Sequence, residues 1–174
     1  MCLVAVSTLA CSSAAPRSSP EPRQTERVTV VFPAAVVSFV RLNDVSTTTI
    51  AAPKARVWTN LLLVHEELGL AASEIDARAG TAVYIQQGKP SLGGKLLSAY
   101  FDCGSTVTGP RTATHSVAIS VRESLESRGA DTTLVHTSVN AFARSRGTSS
   151  DNLQCSSTGK LEEDIAKRLA ARVQ

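Results

Sequence analysis

Apolar residues recur along this chain with two different periods, and the switches between them mark out its elements. Between residues 53 and 68, Val57, Leu61, Val64 and Leu68 recur at helical spacing, and Trp58 and Leu62 widen the stripe. Pro53 opens this helix in its first turn, where the missing N–H has no intrahelical partner to lose. Gly69 closes it as a carboxy-terminal cap. Thr59, Asn60, Glu66 and Glu67 form the wet face, and His65, beside Glu66, reads as a surface residue. A second helix is predicted from about Lys160 to Val173, where Leu161, Ile165, Leu169 and Val173 make a stripe. Its acids Glu162, Glu163 and Asp164 come first and Lys167, Arg168 and Arg172 later, an order that complements the helix dipole.

The other period is two. Residues 28–42 are rich in Val and Phe but broken by Pro33, which fits an edge strand or two short pieces. Residues 45–51 read as a short β-branched strand. Residues 72–79 and 81–87 suggest two strands bent at Gly80, or one strand bulged there. GKPSLGGK (88–95) is a loop of hairpin type, and 95–102 forms the next strand. Over 112–125, Val117, Ile119 and Val121 alternate with Ser116, Ser120 and Arg122. SRGAD (127–131) turns the chain, 132–144 returns as a long strand, and 145–159 is a loop. Two amphipathic helices need an apolar surface to lie on. The expected fold class is therefore α+β: a two-layer single domain over 28–174, its antiparallel sheet packed against two helices.

Composition narrows the function classes. A chain of 174 residues makes one domain, and 43% apolar against 19% charged residues suffices for a core. A net charge of +3 without a basic cluster, and 4% aromatics, exclude a nucleic-acid partner of the usual kind. GKPSLGGK fails as a phosphate loop, because Gly94 stands where the motif needs Lys and a strand follows instead of a helix. His115 is in phase with Val117, Ile119 and Val121 but has no acid or nucleophile assigned to it, and His136 falls on a polar strand face. The three histidines are far apart, with no metal-ligand spacing. No catalytic residue, metal or cofactor is assigned, and the chain is expected not to be an enzyme.

The amino terminus resembles a bacterial lipoprotein signal: MCLVAVSTLA (1–10) is apolar or small, and Cys11 follows it. Leu9 and Ala10 suit that pattern; Thr8 stands where the family usually has Leu, and no basic residue precedes the run. A plain secretory signal and an unprocessed, mildly apolar terminus are the alternatives. The resemblance implies removal of 1–10 as a signal peptide, acylation of Cys11, and a flexible linker rich in Ser, Ala and Pro over 11–27. It places the domain at the bacterial cell envelope on the periplasmic side, held to the membrane by lipid. In an exported domain the remaining pair, Cys103 and Cys155, reads as one disulfide; free thiols and a metal site are the alternatives.

A second resemblance rests on TTTIAAPKARVWTNLL (47–62), with Ala52-Pro53 and Val57-Trp58. It is similar to the opening of START-like domains, in which a curved antiparallel sheet grips a carboxy-terminal helix. The chain is also similar in size to small helix-grip domains of outer-membrane assembly lipoproteins. The resemblance implies a helix-grip-like fold. Two functions follow as expectations. The first is a non-enzymatic envelope lipoprotein with a structural or partner-binding role toward another envelope protein. The second is a carrier of a small apolar ligand or lipid, its cavity walled by Trp58, Ile119, Val121 and Leu169.

Overall fold

The computed structural model describes residues 25–32, 35–42, 45–146 and 152–174. The run 1–10 read as a signal peptide, Cys11 read as the lipidation site, and the stretch up to residue 24 read as linker lie outside the described residues. Strand β1 (Thr25–Phe32) begins within the segment read as linker and pairs antiparallel with β2 (Ala35–Leu42). Pro33 thus separates two strands of one hairpin, the two-piece reading of that stretch.

Strand β3 (Val45–Ile50) leads into helix α1 (Lys54–Leu68). Pro53 stands at its N-cap with extended backbone. Gly69 ends it at φ +79°, its N–H donating to the Glu66 carbonyl while Leu70 N–H donates to that of His65. Only glycine takes that left-handed conformation without cost.

Next come β4 (Ala71–Asp76) and β5 (Thr81–Gln87), antiparallel neighbours, so Gly80 lies in the turn of a hairpin. The Gly-rich segment forms a small hairpin of β6 (Ser91–Leu92) and β7 (Lys95–Leu96). A 3-10 turn, Leu97–Ala99, then interrupts what reads as a strand over 95–102, and only β8 (Phe101–Asp102) remains extended. Strands β9 (Ser105–Thr106) and β10 (Gly109–Pro110) and the single turn α2 (Arg111–Thr114) precede the two long strands. These are β11 (Ser116–Ser127) and β12 (Thr133–Arg144), paired along their whole length. The segment 145–159 is more than a loop, since it contains β13 (Asn152–Ser157). Helix α3 (Lys160–Val173) matches its predicted bounds.

Seven strands form the main antiparallel sheet, in the order β4-β5-β11-β12-β13-β8, with β3 also on β12. The outer edge of β12 is shared: β3 covers Thr133–Ser138 and β13 covers Ala141–Arg144. This corrects the expected fold class. The described residues are dominated by strand, with only two substantial helices, of 15 and 14 residues. The body is a sheet-dominated fold, not a two-layer α+β domain of helix-grip type. The physical reason lies in short pieces such as β13, which carries too few residues to show a period yet extends the sheet.

The core is continuous. Leu61, Val64 and Leu68 of α1 and Leu161, Ile165 and Leu169 of α3 meet Val117, Ile119, Val121 and Val135 of the sheet. The loop segment before α2 is pinned to α3 by one polar cluster. The Tyr100 hydroxyl donates to Asp164 Oδ2 at 2.7 Å, and Lys95 Nζ donates to the same oxygen at 2.6 Å. Burial pushes the Asp164 carboxyl up, but these two hydrogen bonds and the charges of Lys95 and Arg168 outweigh it and hold the group low. The Tyr100 hydroxyl is raised, by burial first and then by its bond to Asp164. A hydrogen bond to a charged group contributes roughly 1.5–3 kcal/mol. Tyr100→Phe is therefore expected to lower stability by about that amount in urea unfolding, with the denaturant slope unchanged.

Candidate functional site

The most unusual chemistry of the described residues lies between α1 and the sheet. On β11 the inward positions run Val117, Ile119, Val121, Glu123, Leu125, so an acid occupies a place in an apolar row. On α1, His65 follows Leu61 by one helical turn and so stands on the buried stripe. Both side chains are 0% exposed, and His65 Nε2 lies 3.4 Å from Glu123 Oε1. The reading of His65 as a surface residue is thus corrected: it points into the core.

The sheet register supplies the other partners. Thr137 of β12 is directly opposite Glu123, and its hydroxyl donates to Oε2 at 2.7 Å. Tyr84 of β5 is opposite Val121, one step along the same face, and its ring stacks on the His65 imidazole with centroids 3.8 Å apart. His65 Nδ1 lies 2.9 Å from the Leu61 carbonyl. A carbonyl only accepts, so Nδ1 carries the hydrogen. That leaves Nε2 facing the Glu123 carboxyl at 3.4 Å. Burial raises the Glu123 carboxyl above its ordinary range, against the pull of His65 and Thr137, with the charge of Glu162 adding to the rise. Burial, then the charge of Glu123, likewise raises the Tyr84 hydroxyl.

This arrangement ties α1 to β5, β11 and β12 in a dry interior. Neither His65 nor Glu123 has a face to solvent through which a substrate would reach it. Among the described residues no group of three or more His, Cys, Asp or Glu is placed to hold a metal ion.

The residues singled out by sequence fall elsewhere. Ile119, Val121 and Leu169 are brought together, each fully buried in the core, and Trp58 packs against that core while partly exposed. Trp58 also lines a shallow hollow with Lys54, Ala55, Thr59, Ala77 and Arg78. Cys103 and Cys155 are joined by a disulfide that fastens the end of β8 to β13. His115 follows α2, with Thr114 Oγ1 2.9 Å from its Nδ1. His136 Nδ1 lies 3.0 Å from Thr47 Oγ1, and its Nε2 lies 3.7 Å from Glu126. Sequence reasoning passed over Glu123, Thr137 and Tyr84. The available signal was phase, since Glu123 is two residues from Val121 and from Leu125. Compared with models of known protein families and with curated proteins, the chain matches none.

Proposed function

We infer that this chain is a non-enzymatic domain of the bacterial cell envelope with a structural or partner-binding role, anchored on the periplasmic side through an acylated Cys11. The observation that carries this reading is the sealing of the His65–Glu123 pair, whose side chains are 0% exposed. The strongest acid–base chemistry among the described residues is spent on joining a helix to a sheet. What the domain offers to its surroundings is surface. The Cys103–Cys155 bridge supports an oxidising compartment, because such bonds persist outside the cytosol. The carrier reading has less support, because Ile119, Val121 and Leu169 pack as core neighbours.

The test is intact-mass and native-mass measurement on protein extracted from the membrane fraction. The expected species lacks residues 1–10, carries acyl chains on Cys11 and holds no stoichiometric ligand. An unmodified full-length chain in the soluble fraction refutes the anchor. A lipid or apolar molecule co-purifying one to one moves the function to the carrier.

A further inference from the structure

Strand β4 ends the main sheet, and among the described residues it pairs only with β5. All six of its residues are exposed. Its outer edge therefore presents backbone N–H and C=O groups to solvent, the feature on which a further strand can be added. A bulge lies between Ala72 and Glu74, and the regular ladder runs from Glu74 to Asp76.

The two faces of this edge differ. Ile75 is paired with Ala82 and Ala72 with Tyr84, both buried partners on the side of the sheet that meets α1. Ile75 is nevertheless 52% exposed, a large apolar side chain left uncovered beside the helix. On α1, Trp58 lines a hollow with Ala77 and Arg78 just past the end of β4, and it is only partly buried. On the opposite face stand Glu74 and Asp76, paired with Val83 and Thr81. Glu74 makes no ion pair among the described residues, and Asp76 only accepts a backbone bond from Ala79. A hollow lies at each end of β4. One is walled by Trp58, Ala77 and Arg78, the other by Gly69, Ala71, Ile85 and Lys89.

We propose that the outer edge of β4 is a docking site for an extended segment of a partner protein that alternates apolar and basic residues. This rests on the partner-binding reading above and names the surface and the chemistry it uses. Successive side chains of an added strand point to opposite faces. One set covers Ile75, and the other set meets Glu74 and Asp76. A second copy of this chain is a poor occupant, because two β4 strands paired antiparallel set these acids against their own kind. The partner is therefore foreign and carries the opposite charge.

The probes are two capped nonapeptides, one alternating valine and lysine, the other valine and glutamate. Each is titrated into the full chain, with hydrogen exchange read along the sequence and the emission of Trp58 followed. The lysine peptide is expected to slow exchange of the Ala71–Asp76 amides at least tenfold, shift Trp58 emission, and bind at least tenfold tighter than the glutamate peptide. In the double variant Glu74→Lys and Asp76→Lys, whose melting temperature checks its fold, the preference should reverse. No protection at β4, protection only elsewhere on the surface, or a preference unchanged by the double variant overturns the proposal. None of these results bears on co-purified lipid, so failure of the edge and failure of the partner-binding reading are told apart.

Discussion

Replacing Glu123 with alanine is expected to cost about 2–5 kcal/mol, through the cavity it leaves and the polar neighbours it strands in the core. Two groups lose their partner at once: His65 Nε2 and the Thr137 hydroxyl, both inside the core. Since a domain of this size has on the order of 5–15 kcal/mol in hand, the variant approaches unfolding at physiological temperature. Glu123→Gln should recover most of the loss, because its amide can donate to His65 Nε2 while its oxygen accepts from Thr137. The glutamine variant also isolates the pH effect. Burial raises the carboxyl of the folded protein above its unfolded value, so between the two the folded state keeps a proton that the unfolded chain has released. Stability from this group is complete below the unfolded value and falls as pH rises through the folded one. Urea unfolding across pH should show that decline in the native chain and its absence in Glu123→Gln. An identical slope in both would remove Glu123 from the account. Exchanging His65 and Glu123 together for leucine and methionine should cost less than Glu123→Ala alone, since no charge is then stranded.

The second large effect belongs to the disulfide. Cys103 and Cys155 are 52 residues apart, and closing a loop of that length removes about 4 kcal/mol of freedom from the unfolded chain. Cys103→Ser combined with Cys155→Ser is therefore expected to lower the melting temperature by on the order of 10 °C. Reduction of the native chain should produce the same shift. The bridge fastens β8 to β13 where only two residue pairs join those strands, so hydrogen exchange in the reduced protein should rise there first. Equal melting temperatures for oxidised and reduced chains would show that the bridge adds nothing to this fold.

Long periodic elements were legible. Helices α1 and α3 and strands β11 and β12 repeat their apolar residues over a dozen positions or more, enough for a period to stand out from composition. Strand β13 reads as loop because NLQCSS has no alternation, and its place comes from pairing with β12 just before it and with β8 much earlier in the chain. The stretch 95–102 read as strand because its apolar residues cluster, yet the Tyr100–Asp164 bond and the 3-10 turn bend it back toward α3. Of the two, only β13 adds strand where a loop is expected, and it tips the body toward sheet. The buried cluster was missed for a different reason. His65 and Glu123 obey the apolar phase of their elements but are polar; His65 therefore reads as surface, and Glu123 draws no notice in an apolar row. Only the three-dimensional pairing of one with the other makes both acceptable in the core.

The shared outer edge of β12 has a consequence for how the chain reaches its fold. The β11–β12 hairpin closes over only residues 128–132, so it is cheap to nucleate. One stretch of its rim waits for β3, made long before; the other waits for Asn152–Ser157, made after it. During synthesis the Ala141–Arg144 stretch therefore stays raw until the chain up to Cys155 has emerged, and that interval is when the molecule is most open to joining with its neighbours.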